Sequence, residues 1–189
     1  MKGKFRSLAF KTGVTAAAVL PVLAGCSSDG GDTSTEPQAG TSPSPQSAEA
    51  AHGPIFPQCG GISDETIQQL TRVNGLVNTA TNSVGCQWLL DGGIVGPHFS
   101  FTWFRGSPIG RERKTQELSR TSVDDITVEG HDGFVAIGTD PILGNNLCEI
   151  GIQFDGDFIE WSVSFARENY PNPCDVAKEL TRQSIVNAK

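Results

Sequence analysis

The segment that decides the fold is residues 147–166, "LCEIGIQFDGDFIEWSVSFA", in which two runs of alternating residues flank Asp155-Gly156. Alternation places successive side chains on opposite faces of a strand. Asp-Gly suits a tight type I′ turn. The segment therefore predicts an antiparallel hairpin with one apolar face and one polar face. The apolar face would carry Cys148, Ile150, Ile152, Phe154, Ile159, Trp161, Val163 and Phe165, and the polar face Glu160, Ser162 and Ser164.

Further strands and helices are predicted on both sides of this hairpin. "HFSFTWF", residues 98–104, alternates aromatic and polar residues, as a half-buried strand does. Other strands are expected at Gly85–Leu90, Ile126–Val128 and Phe134–Ile137, with a turn at Asp91–Gly93. Helix signals predict a helix that Ser63 caps and Gly75 ends, a weak helix over Pro108–Arg120, and a C-terminal helix with Asn172 as cap and Pro173 at its first position. The order predicts an α+β fold, an antiparallel sheet of four to six strands with the N- and C-terminal helices on one face.

The first 25 residues have the pattern of an export signal. Four basic residues precede the short apolar run Thr12–Leu23, which is shorter than the roughly 20 residues that span a bilayer. Leu23-Ala24-Gly25-Cys26 then resembles the bacterial lipobox, in which the signal is cut before a cysteine that carries a diacylglycerol. The alternative is an ordinary secretory signal with an incidental cysteine. We expect residues 1–25 to be a signal peptide and Cys26 to be the lipid anchor, since two acyl chains suffice for stable attachment.

The composition of residues 26–52 predicts a disordered tether, and residues 53–189 are expected to form an extracytoplasmic domain. The tether lacks aromatic residues, Val, Ile and Leu, and is rich in Ser, Thr, Pro, Gly and Ala, so that it buries too little surface to fold. The domain holds Cys59, Cys86, Cys148 and Cys174. An even number of cysteines in an exported domain predicts two disulfides. Because Cys86 and Cys148 would both point inward from strands, the expected pairs are Cys86–Cys148 and Cys59–Cys174.

Charge excludes one class of partner. Four of the 14 basic residues lie in the first 25 residues, which contain no acid, so the remainder carries 10 basic and 21 acidic residues. Phosphate backbones would repel such a chain, and no nucleic-acid partner is expected. One basic cluster could meet an anionic partner, although such a run is more often a solvated helix face. It consists of Arg105, Arg111, Arg113, Lys114 and Arg120.

At this level of detail the sequence resembles a known family. "PQCGGISDETIQQLT", "GCQW", "CEIGIQF" and "NPCDVAKEL", behind a lipobox and a Ser/Thr/Pro tether, resemble the actinobacterial, mainly mycobacterial, lipoproteins of the LprB/LprC type. The resemblance implies a lipid-anchored domain on the outer face of the plasma membrane. It implies no activity and no catalytic residues, because the domain of this family has no settled function.

The sequence contains no motif of a known catalytic or cofactor site. His98 lies beside a strand, and His131 lies in "EGHDG", residues 129–133, which suits a metal or proton-transfer site less well than a polar turn. "DGD", residues 155–157, lacks a calcium loop. The alternating aromatics Phe99, Phe101, Trp103, Trp161 and Phe165 could line an apolar cavity, but are more typical of a core. No metal and no cofactor are assigned.

These observations leave three functions open. The favoured one is a non-enzymatic binding or accessory domain for a lipid, a cell-wall component or a membrane protein. The second is an envelope hydrolase or transferase that uses His98 or His131 as a base. The third is a purely structural or regulatory interaction domain. A concave pocket would favour the first, a histidine bonded to an exposed hydroxyl or carboxylate the second, and a flat exposed patch the third.

Overall fold

The computed structural model of the protein describes residues 51–90, 96–166 and 169–189. Residues 1–50, with the predicted signal, the lipobox Leu23–Gly25, the anchor Cys26 and most of the predicted tether, lie outside the described residues, as does the predicted turn at Asp91–Gly93. No helix in the described part of the chain is long and apolar enough to cross a bilayer.

In the described part of the chain, seven antiparallel strands form one sheet in the order β1-β2-β3-β7-β6-β5-β4. They are β1 (Leu76–Asn82), β2 (Gly85–Leu90), β3 (His98–Phe104), β4 (Ser122–Val128), β5 (His131–Asp140), β6 (Gly144–Phe154) and β7 (Asp157–Ser164). The α+β class is confirmed, but the expected four to six strands is wrong. The missed strand is β1, whose sequence "LVNTATN" does not alternate, because it is an edge strand with only Leu76 buried.

Among the residues that the structure describes, three α-helices accompany the sheet: α1 (Asp64–Thr71), α2 (Ile109–Ser119) and α3 (Pro173–Asn187). A short 3₁₀ helix, Gln58–Gly61, precedes α1. The predicted caps are confirmed, since Ser63 Oγ accepts from the Thr66 amide and Asn172 Oδ1 from the Cys174 amide, at 3.2 and 2.8 Å. Both α1 and α3 contact the apolar face of the sheet, whereas α2 lies on the opposite face. The N- and C-terminal helices thus share one face, as predicted, and α2 lies on the other.

The core lies between the sheet and the helices α1 and α3. The rings of Trp88 and Trp161 stack with their centroids 5.7 Å apart. Each indole N–H also has a helix partner, Asp64 Oδ1 at 2.7 Å for Trp88 and Ser184 Oγ at 2.9 Å for Trp161. The aromatics proposed for a cavity are all buried in this cluster: Phe99, Phe101, Trp103, Trp161 and Phe165. They fill the core, so they provide no argument for an apolar ligand.

Two disulfides tie helical segments to the sheet, and the predicted pairing is wrong. The bonds are Cys59–Cys86 and Cys148–Cys174, with Cα–Cα distances of 5.2 and 5.1 Å. Cys86 and Cys148 do both point inward, but β3 and β7 lie between their strands. Three strand spacings separate them by about 14 Å, twice the roughly 7 Å that a disulfide can bridge. Cys86 instead bonds to Cys59 in the 3₁₀ helix Gln58–Gly61, and Cys148 bonds to Cys174 in the first turn of α3.

The N-terminal end of the described chain docks on the tip of the β6–β7 hairpin. Gly156 N donates to Ala51 O at 2.8 Å, and His52 Nδ1 lies 2.9 Å from Asp157 Oδ1. Burial acts to raise the pKa of the fully buried Asp157, but the Gly106 N–H, His52 and Arg105 outweigh it and hold the pKa below its usual value. His52, which the sequence analysis assigns to the tether, is therefore part of the folded domain.

Candidate functional site

The face of the sheet opposite the tryptophans is polar, and we call it the polar face. Strand alternation and the register of β3, β7 and β6 bring its central side chains together. They are Ser100, Thr102, Glu149, Glu160, Ser162 and Ser164. The sequence analysis placed Glu160, Ser162 and Ser164 on one polar face and did not identify the other members of this group.

Helix α2 covers the β4–β6 side of the polar face through polar contacts. Its sequence "IGRERKTQELS" has no apolar stripe. The buried residue of the helix is Gln116, whose Nε2 donates to Glu112 Oε1 at 2.8 Å, while the apolar Leu118 is 86% exposed. Because Leu118 is exposed and Ile109 only half-buried, hydrophobic burial contributes little to holding α2 on the sheet.

An ion pair between the half-buried Arg120 and the buried Glu149 joins the end of α2 to β6. Arg120 contacts both carboxylate oxygens of Glu149, with Nη2–Oε1 at 3.0 Å. Ser162 Oγ donates to the same carboxylate at 3.2 Å. Glu149 is only 6% exposed, and its hydrogen bonds hold the pKa of Arg120 above the usual value. The guanidinium charge is thus compensated inside the protein.

Glu160 is a neutral carboxylic acid beside this ion pair. Burial, and then the charges of Glu149 and Glu112, raise its pKa to about 8, against the opposing effect of Arg120. Its Oε2 is buried, and no hydrogen-bond partner for it occurs among the described residues. At neutral pH the group therefore carries a proton and can donate a hydrogen bond.

An open groove of about 510 Å³ lies where α2 ends, between that helix and the β5–β6 turn. The carboxylate of Asp140 accepts the amides of Ile142 and Leu143 at 2.8 and 2.9 Å, which fixes the turn and holds the pKa of Asp140 below its usual value. The groove is bordered by the apolar side chain of Leu118, which is 86% exposed. The groove is lined by Leu118–Thr121, Gly138–Pro141, Asn146, Leu147 and Ser164.

The two histidines proposed as bases do not form a catalytic pair in the described structure. Gln87 Nε2 donates to His98 Nε2 at 2.7 Å. Burial lowers the pKa of His98, and the negative charge of Glu149 opposes this shift without cancelling it. The His131 ring lies 4.5 Å from that of Phe154. Neither ring has a hydroxyl or carboxylate hydrogen-bond partner among residues 51–90, 96–166 and 169–189.

The "EGHDG" segment forms the turn between β4 and β5. Glu129 and Gly130 take positive φ values of 49° and 80°, as a tight turn requires. Asp132 accepts from Thr127 Oγ1 at 2.8 Å. Within the described ranges, no three His, Cys, Asp or Glu side chains lie close enough together to hold a metal ion.

The basic cluster is spread over the domain, and most of it is paired with carboxylates. Arg105 lies at the hairpin tip, 3.6 Å from Asp157, far from Arg120 at the groove. On α2, Arg113 bonds to Asp125 and Glu117, and Lys114 to Glu117. Arg111 is exposed on the same helix. An anionic partner for this cluster stays a prediction, with little unpaired charge to support it.

Sequence analysis did not identify the groove. Most of its residues lie on turns and element ends, which alternation does not mark. The signal that was available is Leu118, an isolated aliphatic residue in a charged helix.

Relatives of the chain are found over its full length. It is 62% identical over 189 residues, all of both chains, to proteins named "Putative lipoprotein LprB" from Mycobacterium bovis and from Mycobacterium tuberculosis H37Rv. It is 65% identical over 172 residues to a protein of the same name from Mycobacterium leprae, covering 90% of this chain and 89% of the relative. No solved structure matches the chain significantly.

The sequence profile of a family described as "Protein of unknown function (DUF3558)" matches residues 21–187, which include all four domain cysteines. That span and the full-length identities agree with the resemblance drawn from the cysteine frame. The chain belongs to the DUF3558 family.

Proposed function

We propose that the protein is a lipoprotein of the cell envelope and that its domain is a non-enzymatic binding module. A diacylglyceryl group on Cys26 would hold it on the outer face of the plasma membrane. The lipobox Leu23–Cys26, the name "lipoprotein" of its relatives and the two disulfides, which need an oxidising compartment, all support this proposal.

The observation that carries the binding role is the position of the groove. The tether joins the domain at Ala51 and His52, beside Asp155 at one end of β6. The groove lies at the other end of the same strand, next to Asn146. The nine residue steps from Asn146 to Asp155 correspond to about 30 Å. An anchored domain would therefore be able to present the groove away from its attachment point.

The geometry supports binding over hydrolysis. His98 is engaged by an amide and His131 by a phenyl ring, whereas a base that activates a nucleophile needs that nucleophile within hydrogen-bond reach. A concave, largely polar groove with apolar rims also supports a ligand-binding role over a purely structural one.

Site-directed photocrosslinking in intact cells tests the binding role. A benzophenone amino acid at Leu118, on the groove rim, should form a defined adduct with an envelope component. The same group at Val77, which is 49% exposed on the edge strand β1, is the matched control. If the two positions gave the same adducts, or neither gave any, the groove would not be a binding site.

A separate measurement tests the anchor. The intact protein should partition into the detergent phase of a cloud-point extraction and carry the mass of a diacylglyceryl group. Cys26→Ser should lose that mass and enter the aqueous phase. An unchanged distribution of the Cys26→Ser variant would refute the lipid anchor.

A further inference from the structure

We propose that the groove binds a neutral polysaccharide strand, a ligand class that rests on the proposed binding role. The groove is open to solvent, so a chain could cross it without inserting an end. Its volume of about 510 Å³ lies within the range of about 300–1,000 Å³ that is typical of ligand sites.

The charges of the groove are already compensated, which favours a neutral ligand. Arg120 is occupied by both oxygens of Glu149. Asp140 is occupied by two backbone amides of its own turn. A phosphate, sulfate or uronate in the groove would find its lining cation already paired, and recruiting Arg120 would leave Glu149 buried and uncompensated.

Hydroxyl and amide groups supply the polar lining. Thr121 and Ser164 offer hydroxyls that both donate and accept. The hydroxyls of Ser119 and Thr139 already donate, to Thr115 O at 3.0 Å and to Asn145 Oδ1 at 2.8 Å, and can serve a ligand as acceptors. Asn146 Nδ2 donates to Phe165 O at 3.1 Å, which orients the amide. Sugar hydroxyls are themselves donors and acceptors, so an array of this kind matches them without a net charge.

Apolar groups stand beside these polar ones. Leu118, Pro141 and Leu147 contribute aliphatic surface to the same groove. A pyranose or furanose ring has an apolar C–H surface bounded by hydroxyls, and aliphatic side chains next to hydroxyls suit both parts of it.

An extended peptide fits this position less well. Peptides that add to a sheet use the unpaired backbone groups of an edge strand. The groove lies over β5, β6 and β7, and the backbone groups of β6 are engaged by β5 on one side and by β7 on the other. A peptide would find side chains there but no free strand edge.

A glycan array probed with the full-length lipoprotein in detergent tests the proposal. The array carries neutral oligosaccharides of varied sugars and linkages, uronic-acid oligomers and phosphorylated glycans. Binding to one or more neutral glycans, with none to the acidic probes, is the expected result. Binding to acidic probes alone, or to no neutral glycan, would overturn the inference.

Two tryptophan variants locate the binding. Thr121→Trp fills the groove and should weaken binding at least tenfold. Thr79→Trp, on the exposed edge strand β1, should leave it unchanged. Equal affinities in the two variants would place the sugar elsewhere and refute the proposal. Peptide mapping of both disulfides confirms that each variant is folded.

The crosslinking experiment separates the two levels of inference. If the Leu118 position forms its adduct but no neutral glycan binds, the binding role stands and the ligand class is wrong. If neither is observed, the binding role itself fails.

Discussion

Replacing Glu160 by glutamine should change how the stability of the protein depends on pH. Glutamine keeps the shape of the protonated acid but cannot ionise. In the folded chain, burial and the negative charges of Glu149 and Glu112 raise the pKa of Glu160 to about 8, whereas its ordinary value is 4.5. The folded state therefore binds one proton more than the unfolded state between those two pH values.

The sign and size of the effect follow from this difference. Because the folded state holds the extra proton, the free energy of unfolding falls as the pH rises from about 4.5 to about 8, by about 1.4 kcal/mol per pH unit. The loss is absent below the unfolded pKa and complete above the folded pKa. Between pH 5 and pH 7 it amounts to about 3 kcal/mol. Glu160→Gln removes this loss, so its stability relative to the wild type should rise by that amount over the same range.

Urea unfolding at pH 5, 6, 7 and 8, with both disulfides intact, measures the difference between the two proteins. Ser100→Ala, a substitution on the same polar face that removes no titrating group, is the control and should differ from the wild type by a constant amount. If the difference between Glu160→Gln and the wild type is equally constant, Glu160 is not held neutral and the polar face is more hydrated than its burial indicates.

Three other substitutions test the contacts around the sheet. Arg120→Ala should destabilise the domain by about 3–5 kcal/mol, because it leaves the buried Glu149 with the Ser162 hydroxyl but no cation; adding Glu149→Gln should recover most of this in urea unfolding, and no recovery would contradict the ion-pair assignment. Replacing the bonded pair Cys148 and Cys174 by alanine should cost about 3–4 kcal/mol by the loop-entropy relation, whereas peptide mapping that found other cysteine pairs would contradict the fold. His52→Ala should accelerate hydrogen exchange of the Gly156 amide while costing only about 1 kcal/mol of global stability; unchanged exchange would mean that the N-terminal segment does not depend on this contact.

The strands and helices that sequence analysis predicted correctly are those with strong local signals. In the 147–166 hairpin, alternation and an Asp-Gly turn agree, and Asp155 takes the positive φ of 46° that its turn position requires. The C-terminal helix has both a capping side chain and an initial proline. In such segments local chemistry and tertiary burial demand the same structure, so the pattern suffices.

The disulfide pairing was wrong because facing inward is a local property and pairing is not. Alternation correctly placed Cys86 and Cys148 on the apolar face. It carries no information about the order of strands, and in this sheet β3 and β7 separate the two cysteines. The groove escaped prediction for a different reason: residues 118–121 and 138–147 lie at element ends and in the β5–β6 turn, where alternation gives no signal.

The tryptophan face and the polar face of the sheet contribute differently to stability, and this difference is an argument for a function on the polar face. The tryptophan face buries an aromatic core and forms the disulfides, which are the terms that stabilise a small exported domain. The polar face instead holds Glu160 neutral by burial, buries the ion pair Arg120–Glu149, and leaves Gln116 Oε1 without a partner among the described residues. Apolar side chains beneath α2 would avoid each of these costs, since buried ion pairs can often be replaced by packed apolar groups without loss of stability. Stability alone therefore does not account for this arrangement, and the proposed binding role of the groove at the end of α2 would give a reason for keeping the Arg120–Glu149 end of the polar face charged and compensated.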